Sequence, residues 1–454
     1  MTHARRIVRL ALCCLLMLSA GAFAADRKPN VIVILTDDQG TLDAGCYGSA
    51  DLQTPNIDAL ASRGVRFTQF YAAAPVCSPS RAGLLTGRYP VRAGMPGNAP
   101  SERGKPGMPP EEVTLAETLK AAGYATAHIG KWHLGYSPET MPNAQGFDYS
   151  FGHMGGCIDN WSHFFYWAGP NRHDLHMDGQ EVYEDGRFFM DMMVDEAIAF
   201  MDRSADKPFF IYFAINAPHY PYQGHKDWIR YYRDHGVPYP RDLYNAFVST
   251  MDERVGRLVS ALDHLNQRQN TIIIFQSDHG HSTEERAHFG GGNAGPYRGA
   301  KFSMFEGGLR VPAIISWPGG LPQDQVRNQL AHSCDWLPTI VELTGTKLLR
   351  SDIDGKSLVS VIKSTDAATP HDVVHWQTGR RKGAQWALRQ GPWKLMGNVR
   401  DTSDKGELTA ADKELFLSNL ELDAGEMTNL APRHPVVVAR LKKLRDDWAA
   451  QVDP

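Results

Sequence analysis

Four apolar runs of this chain end in residues that could do chemistry. Residues 31–36, VIVILT, run into Asp37 and Asp38, and residues 271–277, TIIIFQS, run into Asp278 and His279. Residues 209–215, FFIYFAI, lead to His219, and the weaker run 124–130, YATAHIG, leads to Lys131 and His133. Adjacent carboxylates repel each other unless a cation lies between them. Three carboxylates suit a hard divalent ion such as calcium, whereas the imidazole of His279 would also suit a transition metal. Singly, each residue has an ordinary use: an Asp-Asp pair can cap a helix or close a turn, and most of the 18 histidines must be structural. At the ends of separate strands, together, they predict one site. Lys301, within YRGAKFSMFEGGLRVP, reads by itself as a surface lysine.

A second chemical stretch is PVCSPSRAGLLTGRYP, residues 75–90. Cys77 is open to three readings: core filler, half of a disulfide, or nucleophile. Ser78-Pro79 predicts an N-cap and first helical position, so a helix should begin just after Cys77. Its free N–H groups would face an anion, with Arg81 projecting from the first turn.

These residues need a scaffold. The strand runs have the length and β-branched content of buried strands. Between them lie helical patterns. Thr114 with Glu117 makes a capping box closed by Gly123. Leu243, Phe247, Met251, Val255, Leu258, Leu262 and Leu265 form a core-facing stripe. Alternating strands and helices predict an α/β fold with a mixed, mostly parallel sheet, whose ligand crevice lies beyond the carboxyl ends of the strands. After about residue 365 the texture changes. VVHWQTG, QWALRQ and PWKLMGN read as short antiparallel strands, followed by a helix with Leu441, Leu444 and Trp448 on one face. The expected organisation is a catalytic α/β domain over 25–365 and a smaller α+β subdomain over 366–454. The Pro/Gly-rich stretch 94–110 predicts an exposed loop that lines the pocket.

The N-terminus reads as a secretory signal peptide over residues 1–24. Arg5, Arg6 and Arg9 precede the apolar LALCCLLML, and Ala22-Phe23-Ala24 is a small-x-small cleavage pattern. The mature chain of about 430 residues has no other apolar run of the roughly 20 residues a membrane span needs. It is therefore expected to be exported, periplasmic or secreted, and cut near Ala24. A net charge of −4 excludes a general nucleic-acid or polyanion binder, so an anionic substrate must be met by local positive charge. Removing Cys13 and Cys14 leaves Cys46, Cys77, Cys157 and Cys334, too few for a disulfide scaffold though enough for one or two bridges.

The residues also carry a resemblance. CSPSRAGLLTG fits the sulfatase signature Cys-x-Pro-Ser-Arg followed by Thr-Gly, and NVIVILTDDQG, GYATAHIGKWHLG, APHYP, SDHG and GAKFSMFEGGLRVP follow in the expected order. Nearly the whole mature chain resembles the type I sulfatases. That resemblance implies an alkaline-phosphatase-like sheet sandwiched by helices. It implies that a formylglycine-generating or sulfatase-maturating enzyme converts Cys77 to formylglycine (3-oxoalanine), whose hydrate attacks sulfur. Asp37, Asp38, Asp278 and His279, together with the converted Cys77 side chain, would ligand one Ca2+ with the substrate sulfate. Many members carry asparagine where His279 stands. Lys131, Lys301 and Arg81 would neutralise the sulfate charge, Asp278 would deprotonate the nucleophile, His219 would protonate the leaving oxygen, and His133 would receive the second proton.

The resemblance extends to bacterial carbohydrate sulfatases, with a leaning toward sulfated galactose or N-acetylgalactosamine units. Residues 152–167, GHMGGCIDNWSHFFYW, could stack on a sugar or serve packing alone. In HSTEERAHFGGGNAGPYRG, His281, Glu284, His288 and Arg298 are the candidate substrate contacts. Two alternatives stand beside a sulfuric ester hydrolase. One is a phosphonate or phosphodiester hydrolase using the same aldehyde and metal. The other is a non-catalytic glycan-binding protein with an unmodified Cys77.

Overall fold

The computed structural model describes residues 27–166, 171–403 and 405–452. The leader expected over 1–24 lies outside them. Among the described residues, no helix is long and apolar enough to cross a membrane.

A ten-stranded mixed sheet forms the frame. Its centre is five parallel strands in the order Thr271–Ser277, Asn30–Thr36, Phe209–Ala214, Ala125–Lys131 and Tyr149–His153. Every residue of the first four is buried, which is why they read as continuous apolar runs. Side chains alternate between the faces. Val31, Val33 and Leu35 pack with Leu84, Leu85 and Trp336 on one side. Ile32 and Ile34 pack with Phe189, Phe247 and Met251 on the other. Each such aliphatic side chain contributes about 1.5–3 kcal/mol when fully buried.

The second face is covered by Phe189–Arg203 and Arg241–His264. In the latter, Phe247, Met251, Val255, Leu258 and Leu262 are buried as the stripe predicts, while Leu243 and Leu265 at its ends are partly buried. The Thr114–Glu117 capping box is present, with both reciprocal bonds formed, and starts the helix Leu115–Ala121.

Register delivers the chemistry. Thr36 pairs with Ser277, so Asp37 and Asp278 emerge side by side from adjacent parallel strands. The Asp278 N–H bonds the Thr36 carbonyl at 2.9 Å, extending the ladder by one step.

The helix carrying the cysteine runs Cys77–Thr86 and is buried throughout. It begins at Cys77 itself, with extended Val76 at the cap position, rather than just after the cysteine. Ser78 is not the cap. Its hydroxyl donates to the His133 carbonyl at 2.5 Å and accepts from the Ala99 N–H.

A separate four-stranded antiparallel sheet follows, in the order Val374–Thr378, Gln385–Gln390, Trp393–Gly397 and Leu415–Asn419. The helix Pro435–Val452 packs on it through Leu441, Leu444 and Trp448. A fully buried ion pair, Lys394 Nζ to Glu306 Oε1 at 2.9 Å, ties this sheet to the segment that carries Lys301. Cys46, Cys77, Cys157 and Cys334 are all free thiols, so no bridge forms among the described residues.

Candidate active site

Cys77 lies at the floor of a cleft of about 200 Å³ at the carboxyl ends of the parallel strands. His279 Nε2 is 3.3 Å from its sulfur, Lys131 Nζ 3.4 Å and Asp37 Oδ1 3.9 Å. Burial opposes ionisation of this thiol, but Lys131 and Lys301 outweigh it and hold the thiol well below its usual range. An electropositive pocket of this kind favours an anion.

Around the sulfur, charges alternate. Asp37 Oδ2 accepts from Lys131 at 2.6 Å, and Asp38 Oδ2 accepts from Lys301 at 3.0 Å. Arg81 reaches up from the first turns of its helix to Asp278 Oδ2 at 2.9 Å and Asp37 Oδ1 at 3.5 Å. Its other nitrogen donates to the Lys131 carbonyl. Arg81 is fully buried and does not line the cleft. It holds two carboxylates in place from beneath.

A cation fits among these carboxylates. Asp38 Oδ1 is buried with no hydrogen-bond partner, although it stands 3.5 Å from His279 Nε2. His279 Nδ1 is 2.9 Å from the Gly280 carbonyl, so that nitrogen carries the hydrogen and Nε2 can present its lone pair toward the carboxylates. Asp37, Cys77, Asp278 and His279 each offer an atom within 4.8 Å of the others. With protein charges alone, burial lifts Asp38 to about 7 and Asp278 to about 6. Burial works against charge on His279, yet Asp278 and Cys77 outweigh it and push it up to about 9. Imidazolium and a bound cation are alternative answers to the same concentration of negative charge.

His219 and His133 flank the sulfur. His219 Nδ1 meets the Tyr220 carbonyl at 2.8 Å, leaving Nε2 to accept from Lys301 at 3.3 Å. Burial and the neighbouring Lys301 hold His219 well below the usual histidine value, so the resting imidazole is neutral. His133 is likewise lowered by burial, and its Nδ1 has no hydrogen-bond partner. Gly156 lies so close that a Cβ there would sit 2.9 Å from the His133 ring.

The sulfatase family profile matches residues 29–346, and a second profile, the C-terminal region of N-sulphoglucosamine sulphohydrolase, matches residues 298–443. Arylsulfatase A from Homo sapiens is 35% identical over 474 aligned positions, covering 95% of this chain and 90% of that protein. The chain belongs to the sulfatase family. Human N-acetylgalactosamine-6-sulfatase is 35% identical, covering 75% of this sulfatase and 67% of the relative. The crystal structure of Ps i-CgsB in complex with k-i-k-neocarrahexaose superimposes with a TM-score of 0.82 at 31% identity, covering 93% of each chain. Family membership makes the protein a sulfatase enzyme of type I, and its large mixed sheet with the smaller antiparallel sheet is the alkaline-phosphatase-like arrangement.

The expected substrate contacts divide. Glu284 lines the cleft, 3.4 Å from Lys301. His281 is not among the residues lining it; its side chain packs against Gly292 near Asp43, and only its carbonyl reaches this region, accepting from the Lys301 N–H. His288 is exposed and bonds Tyr239 at 2.6 Å, away from the cleft. Arg298 is buried in a pair with Asp401 at 2.5 Å and donates to the Glu426 and Gly406 carbonyls. Thus three of the four leave the cleft: His281 and Arg298 turn into packing and His288 turns outward to the surface. Residues missed by individual name also line the cleft: Asn98, Ser101, Phe165, Tyr220, Arg286 and Phe302. Asn98, Ser101 and Phe165 fall in stretches that composition singled out. Nothing in the sequence distinguished Arg286 from Glu284 two positions before it.

Proposed function

We propose that this sulfatase releases inorganic sulfate from a sulfated carbohydrate, using formylglycine made from Cys77. The observation that carries the reading is the floor of the cleft: a buried cysteine ringed by Lys131, Lys301 and His279 beside a carboxylate oxygen without a partner. Asp37, Asp38, Asp278 and His279 would hold Ca2+, which when bound neutralises sulfate oxygens and polarises the nucleophile. The formylglycine side chain supplies the attacking hydroxyl.

The chain's own groups supply the rest. Lys131 and Lys301 bind and orient the sulfate from two sides, each anchored on one aspartate. Arg81 positions Asp37 and Asp278 without touching substrate. Asp278 takes the proton of the attacking hydroxyl. His219 Nε2, once it has taken a proton from solvent, passes it to the leaving oxygen as that oxygen gains charge, with Lys301 beside it. His133, whose Nδ1 is unpaired, takes the proton of the second hydroxyl when sulfate leaves. Asn98, Ser101, Glu284 and Arg286 provide polar contacts to the sugar, and Phe165 an apolar face for it. Galactose-type or N-acetylgalactosamine-type units are supported by the carrageenan-oligosaccharide complex and by the N-acetylgalactosamine-6-sulfatase relative. In this reading residues 25–365 are the catalytic domain and 366–454 a buttressing subdomain. The enzyme is exported to the periplasm or beyond after cleavage near Ala24, and N-terminal sequencing of protein from the native host tests that cleavage.

The functional test measures sulfate release from defined sulfated galacto-oligosaccharides, with Cys77→Ala as control and the Cys77 peptide weighed for conversion. Release by converted protein and none by the alanine variant is expected. Converted protein that leaves every sulfated sugar intact, or turns over an aryl phosphonate faster than an aryl sulfate, overturns the assignment. A retained thiol in protein from the native host would instead favour a binding role.

A further inference from the structure

A second group of ligand atoms lies in residues 159–187, away from the sulfur. His163 and His173 are buried, and each offers a ring nitrogen that, with a carboxylate oxygen of Asp185, forms a set lying within 4.8 Å of one another. Three short segments bring them together. One is the turn following Asp159, whose carboxylate accepts from the Trp161 and Ser162 N–H groups. Another is the strand Arg172–His173, paired with Phe164–Phe165. The last is the chain beyond Gln180–Glu181. The Asp174 N–H bonds the His163 carbonyl at 2.9 Å and so sets the spacing of the first two.

Their partners fix the tautomers. His163 Nε2 is 3.0 Å from the Arg187 carbonyl, which can only accept, so Nε2 carries the hydrogen. His173 Nδ1 is 3.2 Å from Glu181 Oε1, and the other oxygen of that carboxylate accepts from Arg103 at 2.8 Å. An ionised carboxylate also only accepts, so Nδ1 of His173 carries the hydrogen. In the neutral rings the opposite nitrogens, His163 Nδ1 and His173 Nε2, present their lone pairs. Both are buried without a hydrogen-bond partner among the described residues. A buried polar atom left unpaired destabilises the fold, and a bound ligand removes that cost. A carbonyl behind one imidazole and a carboxylate behind the other are the supports that orient metal-binding histidines. Tyr183 stacks on the His173 ring at 4.3 Å and restrains it further.

We propose that His163 Nδ1, His173 Nε2 and Asp185 hold a zinc ion in a site separate from the catalytic cluster. Two imidazoles and one carboxylate are too few oxygens for calcium, which takes about 6–8. They suit tetrahedral zinc with water in the fourth position. Zinc bonds of about 2.0–2.2 Å draw ligand atoms closer together than the 4.8 Å limit, and Asp185, which is exposed, can close the gap. The ion would staple the three segments. Phe165 is the strand neighbour of Arg172 and lines the sulfate cleft, so zinc would stiffen one cleft wall without touching the reacting atoms.

The experiment strips full-length protein with a chelator, restores calcium, then offers Zn2+ or Co2+ alone. One retained equivalent of zinc after gel filtration and the intense visible bands of tetrahedral Co2+ are expected. Both should vanish in His173→Gln, weaken at least about tenfold in Asp185→Ala, and persist in Asp38→Ala, whose change lies in the catalytic cluster. Wild-type protein that retains no zinc, or zinc binding and Co2+ spectra unchanged by Asp185→Ala, overturns the site. Asp185 is exposed, so that variant decides the matter even where His173→Gln fails to fold.

Discussion

The guanidinium of Arg81 donates to the Asp278 carboxylate at 2.9 Å, with both side chains fully buried. This contact joins the first turns of the cysteine helix to the end of a neighbouring strand, while a second nitrogen holds the Lys131 carbonyl. Removing one member of a buried pair leaves the other charge uncompensated, at about 3–5 kcal/mol. Arg81→Met should therefore lower the unfolding free energy by about that amount in denaturant titrations. A loss below about 1 kcal/mol would show that the pair does not act as a clamp.

Calcium should bind where Asp38 Oδ1 lacks a partner. Chelation should abolish sulfate release and readdition restore it. Ligand at about a hundred times its dissociation constant stabilises a fold by about 2.7 kcal/mol, so the thermal midpoint should rise with calcium. In Asp38→Asn that rise should disappear. A midpoint that still climbs in the variant would place the ion elsewhere.

Arg286 is exposed at the cleft mouth, where it can meet a second anionic group of a sulfated chain. Arg286→Ala should raise KM for a multiply sulfated oligosaccharide about tenfold, as loss of a charged hydrogen bond does. Its kcat, and its KM for a small aryl sulfate, should stay near wild type. Equal losses on both substrates would instead make Arg286 part of the sulfate-binding floor.

Arg298 is buried against Asp401 and two carbonyls, so its work is to hold the C-terminal sheet region onto the loop before Lys301. Arg298→Ala should cost about 3 kcal/mol of stability. At temperatures where the variant stays folded, KM should be unchanged. A selective rise in KM would return Arg298 to the substrate pocket.

Stability should fall steeply in mild acid. Burial lowers His128, His332 and His375 to about 3 and His281 to about 4, against 6.5 for an exposed histidine. The unfolded chain then binds protons that the folded chain refuses. The stabilisation is present above about pH 6.5 and is lost as pH falls toward 4 for His281 and toward 3 for the other three, by about 1.4 kcal/mol per pH unit for each group. His375 stacks face to face on Trp448 at 4.7 Å, so His375→Phe keeps the stack and removes one titration. Its stability should depend on pH less steeply than wild type by one proton. An unchanged slope between pH 4.5 and 6.5 would show that His375 is not among the groups responsible.

The frame and the centre of the site were legible because local rules and long-range packing agree there. Strands buried on both faces must be apolar along their length, so four of them could be read directly, and polar residues at their ends had to be functional or costly. The alternation of strand and helix then placed Asp37, Lys131, His219 and Asp278 along one edge of a parallel sheet. What sequence could not supply was direction. Whether Arg81 faces an anion or clamps carboxylates depends on where Asp278 arrives from a strand 197 residues away. His281, His288 and Arg298 are polar residues of the same loop as Glu284, yet they turn outward or into packing while Glu284 faces the cleft. The convergence of His163, His173 and Asp185 has no spacing signature either, since three separate segments deliver one ligand each. Residue type and strand period are properties of the chain. The meeting of side chains across loops is a property of the folded whole, decided by backbone hydrogen bonds between segments that no local pattern encodes.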